Sequence, residues 1–186
     1  MHQAALDAAK ADTLVREQYG AADNMTDTLA ALQVANGYLL PCRAALLADF
    51  EGKWAHDGLV LDNWLRLVGA KPAKDVLDDV KQAMAHPTFS IRNPNRLRAL
   101  IGSFAMNNQV QFHAADGSGY RFLTDLLIEL NEVNPQVASR LITPLIQFKR
   151  LDEGRKALIR TELTRLANLE GLARDLFEKV SKALAQ

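Results

Sequence analysis

The sequence has a single cysteine, Cys42, in 186 residues. That count excludes an internal disulfide and any zinc finger built on cysteine pairs. There is no excess of charge of one sign either, because 22 Lys+Arg face 22 Asp+Glu for a formal net charge of zero. Nucleic-acid binding normally rests on a Lys/Arg surplus, so no nucleic-acid partner is expected. Long apolar runs are missing too. Nothing approaches the ~20 residues that a spanning helix needs. The opening stretch, MHQAALDAAKADTLV, has no apolar centre, so neither a signal peptide nor a membrane partner is expected. A soluble, reducing, cytoplasmic setting is the expectation.

What is present is enough for a core. Hydrophobic residues make up 48% and charged residues 24%, outside the range of a disordered chain. Leu and Ala dominate, and apolar positions recur at helical steps, as in Leu123, Leu126, Leu127 and Leu130 or Leu158, Leu163 and Leu166. Alternating strand-like runs are scarce, so the chain reads as all-α with about ten helices.

Punctuation places the helices. The first is expected over Gln3–Gln18, the next from Asn24 or Thr26 to Asn36-Gly37, and the third with Pro41 in its first turn. A fourth follows His56-Asp57-Gly58, and a fifth starts at Lys71-Pro72 and stops at His86-Pro87. Asn93-Pro94 and Asn134-Pro135 are cap-plus-first-turn pairs, in which Asn accepts from orphan N–H groups and Pro gives up one with no helical partner. Their spacing of about 40 residues is close to that of helical-pair repeats such as HEAT or armadillo, and suggests stacked antiparallel pairs. Asp152 caps the penultimate helix, the last is expected over Glu170–Ala183, and no linker marks a domain boundary.

Candidate chemistry is thin. The histidines are His2, His56, His86 and His113; none is followed by Glu and no two are four apart, so the helical zinc-hydrolase pattern is missing. His113 and Asp116 are near enough in sequence to share an ion, or are solvated loop residues. Cys42 after Pro41 is a nucleophile if a helix start lowers its pKa and a base lies beside it, and otherwise a small buried hydrophobe. Asp116-Gly-Ser-Gly-Tyr120 could cradle an anion, yet it lacks the Lys-Ser/Thr of a phosphate loop and reads equally as a structural turn. Trp54 and Trp64 fit core packing better than a base-stacking platform. Arg96, Arg98 and Arg140 follow the two Asn-Pro caps, and Arg98 and Arg140 each sit in an apolar setting. They belong to a solvated face or partner Asp or Glu, or they are guanidiniums lining a groove suited to a carboxylate or peptide carbonyl.

Longer runs carry a resemblance. Ala22-Asp-Asn-Met-Thr-Asp27, Leu40-Pro-Cys-Arg43, Lys53-Trp54, Asn93-Pro-Asn-Arg-Leu-Arg-Ala-Leu-Ile-Gly102, Phe112-His-Ala-Ala-Asp-Gly-Ser-Gly-Tyr120 and Asn134-Pro-Gln-Val-Ala-Ser-Arg-Leu-Ile142 resemble the C-terminal part of the bacterial aminopeptidase N family. These are alanyl aminopeptidases among the M1 zinc metallopeptidases. Pro144-Leu-Ile146, Lys149-Arg150 and Phe177-Glu-Lys179 extend the resemblance over nearly the whole chain. The family's His-Glu-x-x-His zinc helix and Gly-x-Met-Glu-Asn loop are absent, so residues 1–186 resemble the helical domain of such an enzyme without its catalytic domain.

The resemblance implies a superhelical stack of antiparallel helix pairs, HEAT/armadillo-like, that caps the catalytic domain of the same polypeptide. It would enclose the active-site cavity and control the entry of peptide substrates. It implies no metal and no catalytic residue in this chain, with Zn2+ in the parent enzyme. Arg98 and Arg140 match family arginines expected to face the cavity as determinants for the C-terminal side of the peptide. The alternative is a freestanding helical-repeat interaction scaffold, which an upstream His-Glu-x-x-His in the same reading frame would rule out.

Overall fold

The computed structural model describes residues 2–185, with side chains from Asp7 onward, and Met1 lies outside that range. Among the described residues there are twelve α-helices, one π-helix and no strand. The count exceeds ten because short helices at Pro94–Leu97, Gln109–Phe112 and Thr143–Ile146 stand apart from their longer neighbours. The chain divides into two compact units, one running through Phe89 together with Asn95–Phe104, the other Ser90–Pro94 together with Ala105 onward.

The first unit begins with α1 (His2–Ala21) and α2 (Met25–Gly37), which pack against each other. Asn24 starts α2, its side chain accepting from the Asp27 N–H at 2.9 Å. Next come α3 (Arg43–Trp54), α4 (Gly58–Gly69) and α5 (Val76–Met84), each packed on its predecessor. Helix α3 starts two residues later than Pro41 suggests. The Arg43 N–H donates to Leu40 O at 2.9 Å, so Pro41 closes a turn before the helix. Helix α5 likewise starts after Pro72. The Lys71 ammonium reaches forward to Asp75 and Asp79, at 2.8 Å each, and the chain turns before it coils. Leu32, Phe50, Leu61 and Leu65 are fully buried, and Trp54 and Trp64 pack at the edge of the core.

A charged pair lies inside this unit. Asp62 of α4 accepts from Arg96 of α6 (Pro94–Leu97), with only 3% and 8% of the two residues exposed. The guanidinium lies where a Cβ on residue 58 would be, so Gly58 follows the capping Asp57 for want of room. Directly after α6 the chain widens into a π-helix, Arg98–Asn107. Gly69, at the end of α4, lies against it so closely that a Cβ there would overlap the Leu100 carbonyl and crowd the Phe104 N–H and Ser103. A glycine is the residue that permits this approach.

The second unit consists of α7 (Gln109–Phe112), α8 (Ser118–Val133), α9 (Pro135–Leu141), α10 (Thr143–Ile146), α11 (Glu153–Ala167) and α12 (Arg174–Leu184). Helix α8 packs on α9 and α11, and α12 on α9 and α11. The stripe Leu123, Leu126, Leu127 and Leu130 is buried along α8, opposite Leu163 and Leu166 of α11. Asn134 caps α9 through Val137 N–H at 3.3 Å with Pro135 in the first turn, and Asp152 caps α11 through Arg155 N–H at 3.0 Å. Helix α12 starts four residues after Glu170. Gly171, at φ 77°, turns the chain while Asn131 clamps the Gly171 carbonyl and the Ala173 N–H at 3.1 and 2.8 Å.

Substitutions in the first unit test this packing. Asp62→Asn removes the charge that balances the buried Arg96 guanidinium and should lower unfolding free energy by about 3–5 kcal/mol in urea titrations. The double change Asp62→Leu with Arg96→Met should recover most of that loss, since a well-packed apolar pair avoids the desolvation cost. Gly69→Ala forces backbone apart from backbone and should cost about 1–3 kcal/mol in the same assay. The same change at exposed Gly20, where a Cβ meets nothing, should not destabilise.

Candidate functional site

The candidate nucleophile comes first, because burial decides it. Cys42 sits at the start of α3 with no exposed surface, and its N–H donates to the Asp12 carboxylate. Burial, followed by the Asp12 charge, pushes the thiol up to about 11, so it stays protonated at neutral pH. It is a buried hydrophobe that fixes α3 to α1 through its backbone.

The glycine-rich turn is structural. Gly117 takes φ 68°, the Asp116 carboxylate accepts from Ser118 N–H at 2.9 Å, and Arg121 donates to the Asp116 carbonyl at 2.9 Å. Gly119 lets α8 approach the Phe112 carbonyl where a Cβ would not fit. His113 turns away from Asp116 and shares a 2.9 Å hydrogen bond with the fully buried Tyr120 hydroxyl. Burial and then the Arg155 charge hold His113 below the ordinary imidazole range, and burial pushes Tyr120 up to about 12. Both are neutral at physiological pH. Among the described residues, no three His, Cys, Asp or Glu side chains converge as metal ligands, and no helix is long and apolar enough to cross a membrane.

The three arginines separate. Arg96 is the internal partner of Asp62, whereas Arg98, two residues on, is exposed at the start of the π-helix of the first unit. Arg140 is exposed in the last turn of α9 of the second unit, its carbonyl accepting from the Thr143 hydroxyl at 2.8 Å. Among the described residues neither Arg98 nor Arg140 has a carboxylate partner. Both are therefore free to meet a ligand carboxylate or carbonyl from solvent.

Two cavities of similar volume, one in each unit, differ in charge. The groove of the first unit, about 720 Å3, contains Arg43, Glu51, Trp64, Asp79 and His86. Its charges are spent internally. Arg43 donates to Asn36 at 2.7 Å with Asp79 at 3.9 Å, and His86 Nε2 meets Glu51 at 3.1 Å. The Thr88 N–H approaches His86 Nδ1 at 3.3 Å on the other side of the ring. The cleft of the second unit, about 800 Å3, runs along α7, α10 and the turn that follows, with Gln109, Thr143, Gln147, Lys149 and Arg150 among its walls. Sequence reading missed both cavities, since their walls are joined across long separations.

The comparisons with known proteins agree with one another. A family model described as a domain of unknown function (DUF3458_C) with ARM repeats matches residues 2–185. Aminopeptidase N of Haemophilus influenzae is 57% identical over 173 residues, 93% of this chain and 20% of that protein. Aminopeptidase N of Escherichia coli is 51% identical over 175 residues, 94% of this chain and again 20% of that protein. The crystal structure of Legionella pneumophila aminopeptidase A in complex with aspartic acid superposes with a TM-score of 0.89 at 28% identity, over 96% of this chain and 21% of that one. The chain thus spans about a fifth of the length of the relatives it matches. It belongs to this ARM-repeat family, as the counterpart of the C-terminal helical domain of bacterial aminopeptidase N.

Proposed function

We propose that the chain is the non-catalytic helical cap of an M1-type zinc aminopeptidase, tied to the catalytic domain of the same polypeptide and placed to control peptide entry. The observation that carries this reading is the identity of 51–57% sustained over 93–94% of the chain by proteins five times as long. The zinc of such an enzyme would be held outside the described residues, which offer no ligand cluster for it. The parent removes N-terminal amino acids from peptides in the cytoplasm, and this domain contributes surface to the approach.

Within that surface, Arg98 and Arg140 contact the C-terminal side of the peptide. Their support is physical. Each is exposed, lacks a carboxylate partner among the described residues, and is mounted on a helix beside a buried anchor, Leu97 or Leu141. They touch no reacting bond on this reading, so they affect binding of the longer substrate and leave the chemical step alone.

Kinetics of the parent enzyme test this. Replacing Arg98 or Arg140 by Ala should raise KM for a tetrapeptide about fivefold, the upper range of one exposed charged contact. KM for a one-residue alanyl amide should stay unchanged, as should kcat for both. Equal effects on the two substrates, or none on either, would return both arginines to a structural role.

A further inference from the structure

The cleft of the second unit is left over from this account. It is bounded by Met106, Pro144, Ile146 and Leu151 on the apolar side and by Lys149 and Arg150 on the charged side. No Asp or Glu contributes to its wall. Among the described residues neither cation has an ion-pair or hydrogen-bond partner, in contrast to the groove of the first unit, where Asn36, Asp79 and Glu51 absorb the donors. Two unbalanced charges remain in a protein whose net charge is zero.

The turn presenting them is anchored at both ends. Phe148, immediately before Lys149, is buried, with the Arg160 guanidinium 5.3 Å from its ring centre. The Leu151 N–H closes the turn on the Phe148 carbonyl at 3.0 Å. Asp152 then caps α11 and pairs with Arg155, which itself donates to the His113 carbonyl at 2.6 Å on the facing wall. Lys149 and Arg150 are thus held over the cleft by a fixed backbone, which lowers the ordering cost of binding.

We propose that this cleft docks the acidic, carboxylate-bearing end of a peptide, with Lys149 and Arg150 recognising its charge. An extended peptide suits the space better than a small anion. A phosphate would fill a small part of about 800 Å3 and leave the apolar wall unused, whereas a peptide offers carboxylates to the cations and side chains to Met106, Ile146 and Leu151. Gln109 and Gln147 add amide groups that pair with an extended backbone. The Thr143 hydroxyl of the cleft wall donates to the Arg140 carbonyl at 2.8 Å, so both belong to one unit. The inference rests on the reading that peptides pass over this domain, and it adds a preference for acidic residues far from the cleaved bond.

The test uses the 186-residue chain and dye-labelled Ala-Ala-Leu-Glu-Glu with a free carboxyl, against Ala-Ala-Leu-Gln-Gln amide, by fluorescence anisotropy at low salt. Wild type should prefer the acidic peptide, and Lys149→Gln with Arg150→Gln should weaken that binding about fivefold to tenfold while leaving the neutral peptide unchanged. Lys53→Gln, an exposed cation of the other unit paired with Asp49, should leave both unchanged. No preference for the acidic peptide, or an unaffected double variant, would overturn the proposal. In the parent enzyme the double variant should raise KM for an acidic peptide. An unchanged KM with a lowered Tm would mean that the parent's own chain fills the cleft, which also overturns it. Failure of the Arg98 and Arg140 kinetics alone would leave the cleft result standing, so the two readings fail separately.

Discussion

A guanidinium and a carboxylate withdrawn from water must meet each other, and in the first unit Arg96 and Asp62 do so between α6 and α4. The meeting constrains its surroundings. It occupies the space beside Gly58, where a Cβ would push the guanidinium aside. It fixes where the chain enters the π-helix, since Arg98 comes two residues later and one wall of that helix is held by Gly69. Arg96 pointing in and Arg98 exposed are thus two outcomes of one local geometry. The buried pair contributes less to stability than its absence would cost, and its main effect is on which arrangement of α4, α6 and the π-helix is allowed.

The second unit is held differently. Its core is a leucine stripe along α8 meeting α11, and its polar anchors are local: Asn134, Asp152 and Asn131 each satisfy backbone groups at a helix end. Fixing helix ends fixes the turns between them. The turn after α10 is the one with functional weight, because it carries Lys149 and Arg150 between a buried Phe148 and a capped Asp152. The two units therefore present basic groups by separate means. One relies on a buried ion pair beside a widened helix, the other on an anchored turn.

What could be read in the sequence was local. Asn24, Asn134 and Asp152 act within three residues of themselves, and each caps the helix expected of it. The all-α class was legible because Leu123, Leu126, Leu127 and Leu130 repeat at helical steps and are buried. Helices begin later than Pro72 and Glu170 suggest because side chains impose turns first: Lys71 binds Asp75 and Asp79 nearby, and Asn131 holds Gly171 from 40 residues away. The Asp62–Arg96 pair joins positions far apart in sequence, so Arg96 looked no different from Arg98. The π-helix was hidden for a related reason: Arg-Ala-Leu-Ile-Gly-Ser-Phe-Ala suits any helix, and the neighbour at Gly69 sets its pitch.

The central claim is that these residues shape access to chemistry performed elsewhere in a longer chain. The most direct measurement is hydrolysis of an alanyl chromogenic amide, with zinc supplied, by the 186-residue chain and by its full-length parent at equal molar concentration. Turnover by the parent and none by the chain is the result this account expects. Zinc-dependent cleavage by a clean preparation of the chain alone would contradict it.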